Sequence, residues 1–267
     1  ITVHPSGELG NDAATLEGVR LGTIDIGLAG NPFFTRFDKR LNALDLPYLF
    51  ADHGHVYRVV DGPIGNKLLA GLEQNRMKGL AFWEIGFRHV TNSKRPIVTP
   101  ADLQGLKIRT TPNPAHVQAF KLLGANPTPM AFTEVYLALE TGTVDGQENP
   151  IGIISSQRFN EVQKYLSLTG HAYTVSILAM NQSRFSSLDA SQQQALVSAA
   201  RDAAAYQRKI NREVEGKALA EMKAKGLQVV EKLNLPAFQA VVAKPTADSY
   251  VKEFGSELLD AIRSEQK

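Results

Sequence analysis

Three polar side chains come at the ends of short segments that are predicted to be β-strands. These side chains are Arg88, Arg109 and Asn149. Because ligands of open α/β sheets bind outside the carboxyl ends of the strands, we expect the three to face one crevice. A guanidinium is a rigid fork of donors that fits a carboxylate, and a carboxamide supplies a further donor. The pattern predicts a site for a small organic anion, with surface salt bridges at the arginines and a turn at Asn149 as the alternatives.

Glu148 and His171 keep an enzymatic interpretation open. Either side chain could carry a proton in a lyase or isomerase that acts on an organic acid. Against this, the sequence contains no dinucleotide-binding, phosphate-loop, nucleophile-elbow or zinc-protease motif. No cofactor and no metal site is predicted, because the sequence has no cysteine and His53 and His55 have no third ligand near them. Binding without catalysis is the favoured interpretation.

The composition is that of an ordinary globular protein. Of 267 residues, 43% are hydrophobic and 21% are charged. Lysine and arginine number 29 against 27 acidic residues, a formal net charge of +2, so a nucleic-acid partner is not predicted. No apolar stretch reaches the roughly 18 residues that a membrane-spanning helix needs.

Alternating strand and helix patterns predict an α/β fold. A strand at residues 1–3, a helix capped by Asn11 and ended by Gly22, and a strand at residues 23–29 form a βαβ unit, which predicts a parallel sheet. Residues 189–225 predict one unusually long helix, which could break at Gly216 or cross as a strut between two lobes. The other predicted elements are helices over residues 64–72, from Asn113 to residue 123, and from Thr133 to Gly142, and strands at residues 80–83, 107–110, 144–147, 161–169 and 173–180.

Several segments of the sequence resemble one family of transport proteins. Residues 105–109 read GLKIR and residues 123–130 read LGANPTPM. The most specific segment is residues 134–150, which read EVYLALETGTVDGQENP. With shorter matches that cover essentially the whole chain, these segments resemble the solute-binding proteins of TRAP (tripartite ATP-independent periplasmic) transporters, the DctP family.

The resemblance implies a two-lobe, periplasmic-binding-protein-like α/β fold with a cleft between the lobes and a long helix that spans both. Residues 1–86 and 175–214 would form lobe I, and residues 87–174 and 215–267 would form lobe II. The lobes would close like a hinge on a small carboxylate ligand. The implied location is the periplasm, and the implied partners are the TRAP membrane permease subunits. We expect a monomer.

The resemblance also implies roles for individual residues. Arg109 would be the principal partner of the ligand carboxylate, Arg88 would assist it, and Asn149 would hydrogen-bond the same group. Phe132 would pack on the ligand, and Asp12 would face the cleft from the other lobe.

The other end of the ligand is less specified. Gly30 stands where sialic-acid-binding members of the family carry a glutamate. This difference argues against sialic acid as the ligand and leaves room for a different ligand beside Asn31. Family members also begin with a strand and a helix ahead of the strand expected at Ile1, so some contacts from lobe I are expected to be missing from this sequence.

Aromatic and imidazole side chains could supply stacking and hydroxyl contacts to a sugar acid. They include Trp83, Tyr173 and His116. The uncharged character of this set favours a hexuronate over a C4-dicarboxylate, because a second carboxylate would need another cation. A sensor that binds the same acid and signals to a membrane partner is a third interpretation.

Overall fold

In a computed structural model, which describes residues 1–266, the strands form two separate sheets. The smaller sheet has the order β1-β8-β2, and the larger has the order β5-β4-β6-β3-β7-β9. The strands are β1 (Ile26–Gly30), β2 (Met77–Phe87), β3 (His89–Asn92), β4 (Lys107–Thr110), β5 (Asn126–Pro129), β6 (Gly146–Asn149), β7 (Tyr165–Ser167), β8 (Tyr173–Asn181) and β9 (Gln228–Val230).

Helices cover both sheets. They are α1 (Asp12–Leu21), α2 (Asn31–Phe34), α3 (His53–Asp61), α4 (Pro63–Gly71), α5 (Pro114–Leu122), α6 (Val135–Glu140), α7 (Ile151–Ser156), α8 (Gln182–Ser186), α9 (Ala190–Ala224), α10 (Leu235–Phe254) and α11 (Glu257–Ser264). Within residues 1–266, no helix combines the length and the hydrophobicity that crossing a membrane requires.

The smaller sheet differs from the predicted one. Residues 1–3 form no strand, and Ile1 and Val3 are exposed. Strand β1 pairs instead with β8, far along the chain, and both pairings in this sheet are antiparallel. The predicted parallel βαβ unit is therefore wrong, because the partner of β1 comes from a distant segment that local patterns do not reveal.

The larger sheet has the predicted parallel arrangement where the candidate site lies. Strand β4 pairs in parallel with β5 on one side and with β6 on the other. Strand β3 pairs antiparallel with β6 and β7, which brings His89 opposite Asn149. The carboxyl ends of β4 and β6 thus meet at one edge of the sheet.

Local cap patterns predicted most helices well. Asn11 accepts a hydrogen bond from the Ala14 amide and Gly22 ends α1 with a φ of 85°. Asn113 caps α5 in the same way, with Pro114 in the first turn. The cap predicted at Thr133 is wrong: a 3-10 turn, Phe132–Glu134, precedes α6 and leaves Thr133 exposed. The strand predicted at residues 161–169 shortens to β7.

The long helix is confirmed, and Gly216 does not interrupt it. Helix α9 has 35 residues and starts with a capping box at Asp189. Its first half packs through Ala200 and Ala204 in a core cluster with the smaller sheet, and its second half packs through Ala218 and Met222 under the larger one. The helix therefore spans both halves of the α/β fold.

The chain crosses between the two sheets beside the candidate site. It leaves the smaller sheet at the end of β2, passes Arg88, and enters the larger sheet at β3; it returns between β7 and β8. The Arg88 amide donates to the Ala172 carbonyl at 2.8 Å, which ties the two crossings together. The lobe boundaries at residues 86, 174 and 214 stay a prediction.

Candidate functional site

Arg109 lies at the carboxyl end of β4 and is 1% exposed. Its Nη2 donates to the Met130 carbonyl at 2.8 Å, and its guanidinium carbon lies 6.0 Å from the centre of the Phe132 ring. Its Nε has no hydrogen-bond partner among the described residues. A buried polar atom without a partner is rare in proteins, and here it is part of a cationic fork.

Carboxylates surround Arg109 without pairing with it. Burial lowers the pKa of Arg109 to about 10, while the charges of Glu148 and Asp12 oppose this change. Arg109 therefore stays cationic at neutral pH. Burial raises the pKa of Asp12, which the Asp12 backbone hydrogen bond and the charge of Arg109 partly offset. Asp12 begins α1, so the structure brings a residue from beside the smaller sheet close to Arg109.

Arg88 is bound to Glu148 and Asn149. Its guanidinium contacts both carboxylate oxygens of Glu148, and Nη2 also donates to Asn149 Oδ1 at 3.1 Å. Asn149 in turn donates to Gln147 Oε1 at 2.7 Å. Burial favours the neutral form of Glu148, but the charge of Arg88 and the contacts with His116 and His171 hold its pKa below the ordinary value. Arg88 and Gln147 thus fix the Asn149 carboxamide.

Two histidines flank Glu148. His171 Nε2 lies 3.3 Å from Glu148 Oε2, and His171 Nδ1 lies 2.8 Å from Thr169 Oγ1. His116 Nδ1 lies 4.0 Å from Glu148 Oε1 and 2.8 Å from Thr111 Oγ1. Burial lowers the pKa of His116 to about 3, although the charge of Glu148 opposes this, so His116 is neutral.

The structure adds Asp45 to the residues that the sequence predicted. Asp45 is fully buried, and its Oδ2 accepts from Asn31 at 2.6 Å and from Asn113 at 2.9 Å. Its Oδ1 lies 4.0 Å from His116 Nε2. Burial raises the pKa of Asp45 to about 7, an effect that the hydrogen bond from Asn31 and the charge of Arg88 reduce. In the sequence, Asp45 is a single carboxylate within the otherwise mostly apolar residues 43–50, and this feature could have identified it.

Two predicted contact residues, Trp83 and Tyr173, have polar atoms that bond to other parts of the protein. Trp83 packs against α9, and its indole N–H donates to the Ala200 carbonyl at 3.2 Å. The Tyr173 hydroxyl donates to Glu84 at 2.5 Å, and its ring packs edge-on against Phe87. The polar atoms of Trp83 and Tyr173 are thus engaged within the protein. A role of either side chain as a ligand contact stays a prediction.

Four buried polar atoms in this region have no hydrogen-bond partner among the described residues. They are Asn31 Oδ1, Arg109 Nε, Thr110 Oγ1 and His116 Nε2. Each such atom costs free energy unless a ligand or water pairs with it. Their concentration beside Arg109 and Asp45 is what a site that encloses a polar ligand needs.

Other features of the molecule lie apart from this group. A cavity of about 850 Å³ is lined by Tyr48, Phe87, Thr169 and residues of α10, but by neither Arg109 nor Asn149.

Among residues 1–266, no group of three or more His, Cys, Asp or Glu side chains is placed to hold a metal ion.

The sequence and the fold match proteins of one family. The family model described as "DctP: Bacterial extracellular solute-binding protein, family 7" matches residues 1–253. The 2,3-diketo-L-gulonate-binding periplasmic protein YiaO of Escherichia coli is 45% identical over 264 residues, which are 98% of this chain and 80% of that protein.

Solved structures agree with this match. A TRAP periplasmic solute-binding protein from Polaromonas, bound to D-erythronate, is 42% identical with a TM-score of 0.95, covering 98% of this chain and 86% of that chain. One from Xanthobacter autotrophicus with bound β-D-galacturonate is 30% identical with a TM-score of 0.94, covering 99% and 88% of the two chains.

Proposed function

Because the chain belongs to the DctP family of bacterial extracellular solute-binding proteins, we propose that it captures a small sugar acid through Arg109 and delivers it to a TRAP membrane permease. The chain is a binding protein of this family and not an enzyme. The proposal concerns the ligand class, the residues that hold it and the delivery step.

The observation that carries the proposal is the state of Arg109. It is a buried cation at the carboxyl end of a parallel strand, and within residues 1–266 its Nε has no partner and its guanidinium makes no salt bridge. A carboxylate that reaches Arg109 would satisfy this atom and would gain a charge-assisted pair in surroundings of low dielectric constant. Phe132 lies beside the same guanidinium and would pack on the ligand.

The neighbouring residues have distinct proposed roles. Asn149 would hydrogen-bond the carboxylate, while Arg88, whose donors mainly engage Glu148 and Asn149, would act mainly by holding Asn149 in place. Asp12 would approach the ligand from the side of the smaller sheet. Glu148 and His171 would support this arrangement from the interior of the protein, because Glu148 contacts both Arg88 and His171.

A sugar acid is favoured over a C4-dicarboxylate. The relative from Escherichia coli is named for a keto sugar acid, and the two structural neighbours hold D-erythronate and β-D-galacturonate. Next to Asp45, the side chains with atoms that have no partner among the described residues are Asn31 and His116, which are neutral. We also propose that the protein is a monomer in the periplasm and that its two lobes close like a hinge on the ligand.

The test is a thermal-shift screen with hexuronates, aldonates and dicarboxylates, followed by calorimetry. A ligand at 100 times its dissociation constant adds about 2.7 kcal/mol to the free energy of unfolding, which a thermal shift detects. Arg109→Ala should weaken the best ligand by several kcal/mol, and Arg109→Lys should restore only part of the loss because it lacks the fork.

Arg201→Ala is the matched control. Arg201 lies exposed on α9 and bonds Asn66, so its loss should leave the affinity unchanged. Equal affinities in the Arg109 variants and in the wild type would contradict the assignment of Arg109. A screen in which no organic acid raises the melting temperature would contradict the proposed ligand class.

A further inference from the structure

Asp45 offers one carboxylate oxygen toward His116. Oδ2 is taken by the carboxamides of Asn31 and Asn113, at 2.6 and 2.9 Å. Among residues 1–266, Oδ1 accepts only one long hydrogen bond, from Thr174 Oγ1 at 3.4 Å, and it lies 4.0 Å from His116 Nε2. That separation is too long for a direct hydrogen bond.

The contact with Thr111 assigns the tautomer of His116. Thr111 Oγ1 already accepts from the Asn113 amide at 3.4 Å and lies 2.8 Å from His116 Nδ1. If the Thr111 hydroxyl donates to Nδ1, the neutral imidazole carries its proton on Nε2. This Nε2 atom is fully buried without a partner, as is Asn31 Oδ1 on the other side of Asp45.

The separation of His116 Nε2 and Asp45 Oδ1 suits one bridging alcohol oxygen. An oxygen can lie within about 2.8 Å of two atoms that are 4.0 Å apart, which is a normal hydrogen-bond length to each. A hydroxyl accepts from His116 Nε2 and donates to Asp45 Oδ1 at the same time. A carboxylate has no proton to donate, so it would meet Oδ1 as a second acceptor.

The charges nearby strengthen this discrimination. Glu148 is ionised and lies 4.0 Å from the same imidazole. The cation whose charge acts on Asp45 is Arg88, and Arg88 is already paired with Glu148. Once the acid group of the ligand occupies Arg109, a second carboxylate would therefore meet acidic groups near Asp45, with the charge of Arg88 already paired.

We propose that Asp45, together with His116, reads a hydroxyl group of the ligand and excludes a second carboxylate from that position. Asp45 is thereby a specificity-determining residue for polyhydroxy monocarboxylic acids. This inference rests on the proposed function, since it presupposes that Arg109 holds the acid group of the same ligand.

The test compares two acids with four carbon atoms each, D-erythronate and succinate. D-erythronate carries an alcohol at the far end where succinate carries a carboxylate. It also has hydroxyl groups at C2 and C3, so the change in the affinity ratio between wild type and variant isolates the far end. Calorimetry at pH 8 gives both dissociation constants for the wild type and for Asp45→Asn. The amide of the variant would donate where Oδ1 accepted, so it should receive a carboxylate. We expect the wild type to bind D-erythronate more tightly than succinate. In Asp45→Asn, the dissociation constant for succinate divided by that for D-erythronate should be at least tenfold lower than in the wild type.

Two further variants keep the result interpretable. Asp202→Asn makes the same chemical change on the exposed surface of α9 and should leave the ratio unchanged. His116→Phe removes the other hydrogen-bond partner and should weaken D-erythronate more than succinate. It serves as the deciding variant if Asp45→Asn does not fold.

The outcomes separate the two proposals. If Asp45→Asn folds and its ratio of dissociation constants equals that of the wild type, the proposed role of Asp45 is overturned, while the role of Arg109 stands. If Asp45→Asn does not fold, an unchanged ratio in His116→Phe has the same consequence. A wild type that binds succinate more tightly than D-erythronate would also overturn the role of Asp45. If the wild type binds neither these acids nor any other organic acid, the proposed function fails and this inference fails with it.

Discussion

Arg88 and Glu148 form a buried ion pair in which the guanidinium contacts both carboxylate oxygens. The two side chains are 2% and 0% exposed. Nη2 of Arg88 also donates to the Glu148 carbonyl at 2.6 Å, so side chain and backbone of one residue bind the same cation. The pair neutralises one of the two arginines at the candidate site, and it leaves Arg109 as the one that has no carboxylate partner in the described part of the chain.

Breaking this pair should destabilise the protein strongly. Replacing Glu148 by Gln leaves the Arg88 charge buried and unpaired, which typically costs about 3–5 kcal/mol in the free energy of unfolding. Urea denaturation of the ligand-free protein measures this cost. The control is Glu73→Gln, which breaks the exposed pair with Lys78 and should cost about 1 kcal/mol or less. Similar small losses in both variants would show that Arg88 does not depend on Glu148.

Asp45 should make the stability of the ligand-free protein depend on pH. Its pKa in the folded protein is about 7, whereas an aspartate in an unfolded chain titrates near 4. Between these values the native state holds a proton that the unfolded state has released. The contribution of Asp45 to the free energy of unfolding is therefore fully present below about pH 4 and is lost as the pH rises toward 7.

Asp45→Asn removes this titration and should gain stability relative to the wild type as the pH rises from 4.5 to 8. One pKa unit corresponds to about 1.4 kcal/mol, so the relative gain has an upper value of about 3 kcal/mol. Denaturation curves at several pH values measure it, with Asp202→Asn as the control for loss of one negative charge. A difference between variant and wild type that does not change with pH would contradict the raised pKa.

Local sequence patterns predicted the part of the site that lies on the larger sheet. Arg109 and Asn149 end neighbouring parallel strands, and the Asn113 cap places α5 next to them. Such features depend on residues a few positions apart, so hydrophobic periodicity and cap residues reveal them.

The remaining features depend on pairings between distant segments. The antiparallel order of the smaller sheet places β8 beside β1, about 150 residues away along the chain. Asp45 joins Asn31 to Asn113 only after the chain has folded around it. The aromatic rings of Trp83 and Tyr173 had plausible chemistry for a sugar, but α9 and Glu84 engage their polar atoms. No local pattern encodes which face of a strand such a long helix will cover.

Gly216 lies exposed in the middle of α9, where a side chain is tolerated. A Cβ at this position would meet no atom within 4 Å. Because glycine loses more conformational freedom than alanine when a helix forms, Gly216→Ala should raise the free energy of unfolding by about 0.5–1 kcal/mol. Thermal and urea denaturation measure the change.

Gly142→Ala is the matched control, since Gly142 also has open space but a φ of 69°. Alanine there is strained, so this variant should lose about 1 kcal/mol or more in the free energy of unfolding.

Gly216→Ala also tests how α9 takes part in the proposed hinge closure. A helix that acts as a stiff strut between the sheets needs no flexibility at residue 216, so Gly216→Ala should leave both ligand affinity and the compaction measured by small-angle scattering unchanged. If the variant gained stability but lost affinity, α9 would have to bend at Gly216 when the lobes close.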